Sequence, residues 1–161
     1  MPTIPHLGQA VLTDDRPANR PPHRPDPSFA VRRTAGCLAV ATAASVPALR
    51  RFARGMAAHW GLPAGIDDAL RLVVSELVGN AVRHSGGREV ALLLSVDLGT
   101  LSVEVRDNGR WLLRPGRPRH EGELACGGRG LDIVGAHARR CTVDVRPGGT
   151  HVIVELALSD R

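Results

Sequence analysis

The chain of 161 residues contains no lysine and no tyrosine, and all 21 of its basic side chains are arginine. Without lysine there is no Walker-type phosphate loop, which needs that ammonium beside the phosphates. Lysine Schiff-base chemistry is excluded for the same reason. Aromatic residues make up 2% of the chain, too few to build the stacking platforms of a single-strand nucleic-acid binder. The net charge is +5, but the arginines are spread along the sequence rather than gathered in one stripe. Direct nucleic-acid binding is therefore not expected. Three cysteines, Cys37, Cys126 and Cys141, form neither a disulfide framework nor a CxxC-type zinc site. They fit reduced thiols in a cytoplasm. No apolar run approaches the ~18 residues that span a bilayer. The opening MPTIPHLGQA lacks the basic start and apolar stretch of a secretory signal, so no membrane partner is expected.

What remains is an ordinary globular composition, 43% apolar and 23% charged. A single domain of this size buries roughly 70% of its unfolded surface. Residues 1–35 read as a Pro/Arg-rich N-terminal tail, with runs such as RPANRPPHRPDP and no apolar periodicity. Order is expected to begin at Gly36, so the domain spans 36–158. CLAVAT (37–42) reads as a strand. Ser45 is placed as an N-cap with Pro47 in the first turn of a helix over 45–60, stopped by Gly61. Arg50, Arg51 and Arg54 flank its apolar side, a cluster suited to steering an acidic partner. A second helix runs over 66–84, with Ile66, Leu70, Val73, Val74, Leu77 and Ala81 as its stripe.

Period-two patterns follow in REVALLLSVDLG, where Val90, Leu92, Leu94, Val96 and Leu98 face one way. A turn at Gly99-Thr100 leads to LSVEVRD, where Leu101, Val103 and Val105 face the core. Residues 109–127 have no period, and a loop of that length inside a compact domain reads as a lid or binding loop. A short helix over 129–138, strands over 141–146 and 150–158 and an intervening PGG turn complete the chain. The expected fold class is α/β: a two-layer sandwich with helices on one face of a mixed, mainly antiparallel sheet.

Four features break the pattern. Glu76 and Asn80 lie four apart on the second helix, hence on one face, at the edge of the apolar stripe. That position suits either a solvated flank or the lining of a pocket. Asp107 shares a strand face with three core residues, where a carboxylate must be paired or hydrogen-bonded. Asp107-Asn108-Gly109 is also good turn chemistry. In CGGRGLDIV, bare backbone around Gly128 and Gly130 precedes a helical pattern. That suits an anion, with Arg129 adding charge, or a plain hinge. Ile133 stands where a dinucleotide GxGxxG would need its last glycine. Gly148-Gly149-Thr150 turns into the last strand, with Thr150 pointing inward like Asp107.

In this order, ExxxN (76–80), DxG (107–109), GxG (128–130) and the late Gly-Thr resemble the GHKL superfamily of ATP-binding domains, with its Bergerat-type fold. SELVGNAVRHSGG, VRDNG, GGRGLDIV and RPGGTHV are similar to its bacterial anti-sigma-factor serine/threonine kinase branch. The resemblance covers about residues 36–158. It implies ATP and Mg²⁺ as cofactors, with Asn80 holding the metal and Glu76 acting as the general base. Asp107 would accept from the adenine amino group, and Gly109 would let the base approach. Gly128, Arg129, Gly130 and Leu131 would donate backbone N–H groups to the phosphates. Residues 110–127 would form the lid, and Thr150 would line the adenine pocket. The implied partners are a sigma factor and a small anti-anti-sigma antagonist, with the chain itself a homodimer. In the lid, Trp111-Leu112-Leu113 is an apolar patch of the kind that meets a partner. An ATP-binding module that sequesters a partner without phosphoryl transfer is the alternative function. A sensor-kinase catalytic half fits less well, because the segment before residue 36 has no helical pattern carrying a phosphoacceptor histidine.

Overall fold

The computed structural model describes residues 11–13, 32–109 and 138–158. Its elements are β1 (Val11–Thr13), β2 (Arg33–Val40), α1 (Ser45–His59), α2 (Ile66–His84), β3 (Glu89–Asp97), β4 (Thr100–Asp107), β5 (Arg140–Arg146) and β6 (Gly149–Ala157). The six strands form one sheet in the order β1-β2-β3-β4-β6-β5. Every described pairing is antiparallel, so the mixed sheet expected from the sequence is corrected to an antiparallel one. Hairpins join β3 to β4 and β5 to β6, and such tight turns permit only antiparallel neighbours.

The two helices lie on one face of this sheet, α1 against β2 and α2 across β3, β4 and β6. That face carries Cys37, Leu92, Val105 and Val152 in one row, and Ala35, Leu94, Val103 and Val154 in the next. All are buried, and they meet Leu49 and Ala53 of α1 and Leu70, Val73, Val74, Leu77 and Val78 of α2. The apolar stripe read for α2 is buried throughout. Burial pushes the Cys37 thiol above its ordinary pKa, because the thiolate loses its hydration there.

Several boundaries move. β2 begins at Arg33, before the expected start of order at Gly36, and Ala41 and Thr42 lie beyond its end. Gly36 sits inside the strand because Ala35, Cys37 and Ala39 alternate inward across it. Part of the expected tail is also strand, since β1 pairs Val11 with Gly36 and Thr13 with Thr34. Ser45 is not an N-cap. Ala44 holds that position with no side-chain cap, and Ser45 is already helical. Its hydroxyl turns back to the Val40 carbonyl oxygen and lies 3.2 Å from Thr42 Oγ1, tying the β2–α1 turn together. α1 ends one residue early, and Arg33 Nη1 donates to the Trp60 carbonyl oxygen at 2.7 Å. A cation there complements the helix C-terminus.

Leu98 does not extend the inward row of β3. It is 81% exposed with φ 45°, and Gly99 follows at φ 73°. Two positive φ values make the two-residue turn that matches strand twist, so the hairpin turns at Leu98-Gly99, one residue before the expected place. The helix expected over 129–138 lies outside the described residues except for Ala138, which is not helical. β5 and β6 each start one residue earlier than read, and β6 ends at Ala157.

The short pairing of β1 sets an expectation for a variant lacking residues 1–31. It loses three residues of edge pairing and no residue of the described core. Its melting temperature should stay within a few degrees of the parent. Its tendency to self-associate should rise, because the whole of the β2 edge is then unpaired. Light scattering over a concentration series checks the second point. A fall of more than about 10 °C would show that the segment carries stability beyond β1.

Candidate functional site

The site is assembled where the C-terminus of α2 meets the end of β4. After α2, Ser85-Gly86-Gly87 turns the chain, with Gly87 N donating to Ser85 Oγ at 3.0 Å. After β4, Asn108 reaches across to this segment. Its Oδ1 accepts from Arg88 N at 2.9 Å and Glu89 N at 3.2 Å, fixing the start of β3. The two turns are pressed together. A Cβ at Gly109 would lie 2.0 Å from the Ser85 carbonyl oxygen, and one at Gly87 would lie 2.6 Å from Asn108 Oδ1. Gly109 is therefore required by backbone packing. The close approach of a base, implied for Gly109 by the family resemblance, is not needed to explain it.

This clasp sets Asp107. The residue is half-buried in the row Ala39, Val90, Asp107, Thr150, Val145 that crosses the sheet. Its Oδ1 accepts from Gly109 N at 3.0 Å and Thr150 N at 3.4 Å. The turn reading is thus realised, and the carboxylate stands on the core side of the strand, where the alternation placed it. Gly149 has φ 145°, and a Cβ there would meet the Asp107 carbonyl oxygen at 1.9 Å. The Gly-Thr of the last strand is adjacent to the Asp-x-Gly because β4 and β6 are paired.

Thr150 is buried, and its Oγ1 has no hydrogen-bond partner among the described residues. Leaving a buried hydroxyl unpaired costs about 1–3 kcal/mol. A polar ligand beside Asp107, or the water it holds, would remove that cost.

On α2, Asn80 stands five residues before Ser85, about 7.5 Å along the helix axis from the clasp. Glu76 lies one turn further back. Both are half-buried, on the border between core and solvent, where the stripe geometry puts them. Glu76 makes no hydrogen bond or ion pair among the described residues. Asn80 Oδ1 accepts from Arg83 Nη2 at 3.3 Å. Arg83 is a residue that the sequence reading missed. Its signal was a glycine inside a helix, Gly79, with an arginine one turn later. No cluster of three or more His, Cys, Asp or Glu stands among the described residues. A hard cation here would rest on Asn80, phosphate oxygens and water, the manner in which Mg²⁺ is commonly held.

Gly128, Arg129, Gly130, Leu131 and the lid, including Trp111-Leu112-Leu113, lie outside the described residues. The arginines of α1 divide by environment. Arg50 Nη1 donates to Ser75 Oγ at 3.3 Å, and Arg54 pairs with Asp67 at 3.1 Å. Arg51 is exposed, so among the described residues Arg54 alone of the three is ion-paired, while Arg50, bonded to a neutral hydroxyl, and Arg51 keep their charge unpaired. No described helix is long and apolar enough to cross a membrane.

A two-layer sandwich with ExxxN on one helix and Asp-x-Gly paired to Gly-Thr across two strands defines an ATPase-like nucleotide domain. Residues 39–156 match the model of the histidine kinase-like ATPase domain, and the chain belongs to that family. Among solved structures it is similar to the RsbU and RsbW domains of Rv1364c from Mycobacterium tuberculosis. The TM-score is 0.57 at 23% identity, covering 78% of this chain and 33% of that one. This chain thus spans about a third of the length of that structure, and the likeness is one of fold. No curated protein matches the sequence.

Proposed function

We propose that this chain is a cytoplasmic ATP-binding regulator, an anti-sigma factor that phosphorylates a serine of a small anti-anti-sigma antagonist. Family membership supports the nucleotide, and one observation carries the reading at the site: the buried hydroxyl of Thr150 beside Asp107, without a hydrogen-bond partner among the described residues. Asp107 and Thr150 form a polar pair within an otherwise apolar row, the chemistry that an adenine edge requires. Asp107 accepts from the exocyclic amino group, and Thr150 supplies a hydroxyl beside it. Asn80 would hold Mg²⁺ through its amide oxygen, and the metal would neutralise charge on the phosphates.

Glu76 takes the proton from the attacking serine as its oxygen bonds to the γ-phosphorus and the bond to the β-phosphate oxygen breaks. The backbone of Gly128, Arg129, Gly130 and Leu131 is assigned to the phosphates, and residues 110–127 to the lid. The chain is proposed to act as a homodimer, with the sigma factor meeting α1 around Arg51 and the adjoining sheet edge.

Calorimetry tests the nucleotide reading. Asn80→Ala should abolish the Mg²⁺ dependence of ATP binding and weaken affinity at least ~10-fold, the loss of about 1.4 kcal/mol. Asp107→Ala should leave a protein that no longer prefers ATP to GTP. Unchanged ATP affinity in both variants would exclude this pocket as the nucleotide site. An antagonist that binds and is never phosphorylated by the parent would favour the sequestering module over the kinase.

A further inference from the structure

Gly79 interrupts the interior of α2, where glycine is a poorer helix former than alanine. Its surroundings show what the missing side chain makes room for. A Cβ at 79 would stand 3.2 Å from Arg83 Nη2, 3.5 Å from Cζ and 3.6 Å from Nη1. Three guanidinium atoms at nearly one distance mean that the group lies flat over the bare Cα. Helical side chains lean toward the N-terminus, so Arg83 covers the turn before its own. From there Nη2 donates to Asn80 Oδ1 at 3.3 Å. Among the described residues Arg83 has no carboxylate partner.

We infer that Arg83 is a latch on Asn80: in the nucleotide-free protein it occupies the amide oxygen that Mg²⁺ would take, so guanidinium and metal compete for one atom. The inference rests on the Mg²⁺·ATP reading above and adds a regulation of that site. Mg²⁺ sits about 2.0–2.1 Å from an oxygen ligand. A guanidinium still bonded to the same oxygen would face a divalent charge across it, at a separation where like charges repel even in water. Loading the metal therefore requires Arg83 to leave Asn80. The gain in nucleotide affinity that Mg²⁺ provides is smaller than a free Asn80 would give. Gly79 leaves the guanidinium a few tenths of an ångström more room than a Cβ would, and Arg83 is a positioning residue.

The test measures the affinity of a non-hydrolysable ATP analogue twice, in chelator and in saturating Mg²⁺, by calorimetry. The ratio of the two affinities isolates the metal from the direct effect of a charge on the nucleotide. Arg83→Ala should raise this ratio about tenfold. Gly79→Ala crowds the guanidinium by a few tenths of an ångström, and should raise the ratio by less than Arg83→Ala does. Arg83→Lys keeps the charge but loses the planar fork, and should fall between parent and alanine variant.

The side-chain amide resonances of Asn80 give a second readout. They should move in nucleotide-free Arg83→Ala relative to the parent. An unchanged or smaller ratio in Arg83→Ala, with the parent showing Mg²⁺-dependent binding, overturns the latch and leaves the site reading intact. A parent with no Mg²⁺ dependence at all overturns both.

Discussion

In the Glu76→Gln variant, phosphoryl transfer to the antagonist serine is expected to fall at least ~10²-fold while ATP affinity stays within about twofold of the parent. The amide keeps the size of the carboxylate and much of its hydrogen bonding, but it cannot take a proton. Glu76 suits the task because it is half-buried at the core border and engaged by no other described side chain. Its carboxylate is therefore not spent on a structural ion pair. It lies one helical turn from Asn80, the proposed metal ligand, on the same face. Single-turnover transfer from labelled ATP, measured with ATP and antagonist both saturating, separates the chemical step from binding. Equal rates in parent and variant would remove Glu76 as the base. A variant whose antagonist or sigma affinity collapsed along with the rate would move Glu76 from chemistry to docking.

Gly109→Ala is the substitution expected to damage the fold most for its size. The added methyl would lie 2.0 Å from the Ser85 carbonyl oxygen and 2.4 Å from Gly87 N. Both neighbours are backbone, so relief requires the clasp between the two turns to open. Overpacking of this kind costs about 3 kcal/mol or more when backbone must move. For a domain of this size that corresponds to a melting-temperature loss of roughly 10 °C. Opening the clasp also frees Asp107, whose Oδ1 accepts from Gly109 N, so ATP affinity should fall below the melting point as well.

Gly55→Ala is the matched control. Nothing lies within 4 Å of a Cβ at that exposed position inside α1. It should stabilise by about 0.5–1 kcal/mol through helix propensity and a less flexible unfolded chain. Thermal denaturation of the two variants side by side should therefore give shifts of opposite sign. A Gly109→Ala protein that melts with the parent would show that the clasp is soft.

The elements readable from the sequence are those whose apolar period is uninterrupted. Ile66, Leu70, Val73, Val74, Leu77 and Ala81 specified α2 to its observed ends, because an amphipathic helix buries one stripe whatever its neighbours are. Leu101, Val103 and Val105 specified β4 to its end at Asp107 and to within one residue of its start at Thr100. The off-stripe positions of Glu76 and Asn80, and the inward placement of Asp107 and Thr150, followed from the same periods. Boundaries failed where local chemistry has two uses. Ser45 is a good cap by type, yet its hydroxyl found the Val40 carbonyl oxygen. Leu98 continues an inward alternation, yet the hairpin required positive φ there. Val11–Thr13 lies in a segment whose composition shows no period, and only pairing with β2 makes it a strand.

The site divides in the same way. Sequence alone determined the type of each candidate residue and its phase within an element, because both are local properties. Only the tertiary structure decided what each of them touches. It set Asp107 against Thr150 through the register of β4 and β6, and left the Thr150 hydroxyl without a partner among the described residues. It also gave Gly109 a purpose in the contact with Ser85, and laid Arg83 over Gly79 onto Asn80. Those contacts depend on which strands pair, in what register, and on how closely two turns approach. Each is set by the packing of the whole domain, which no local pattern encodes.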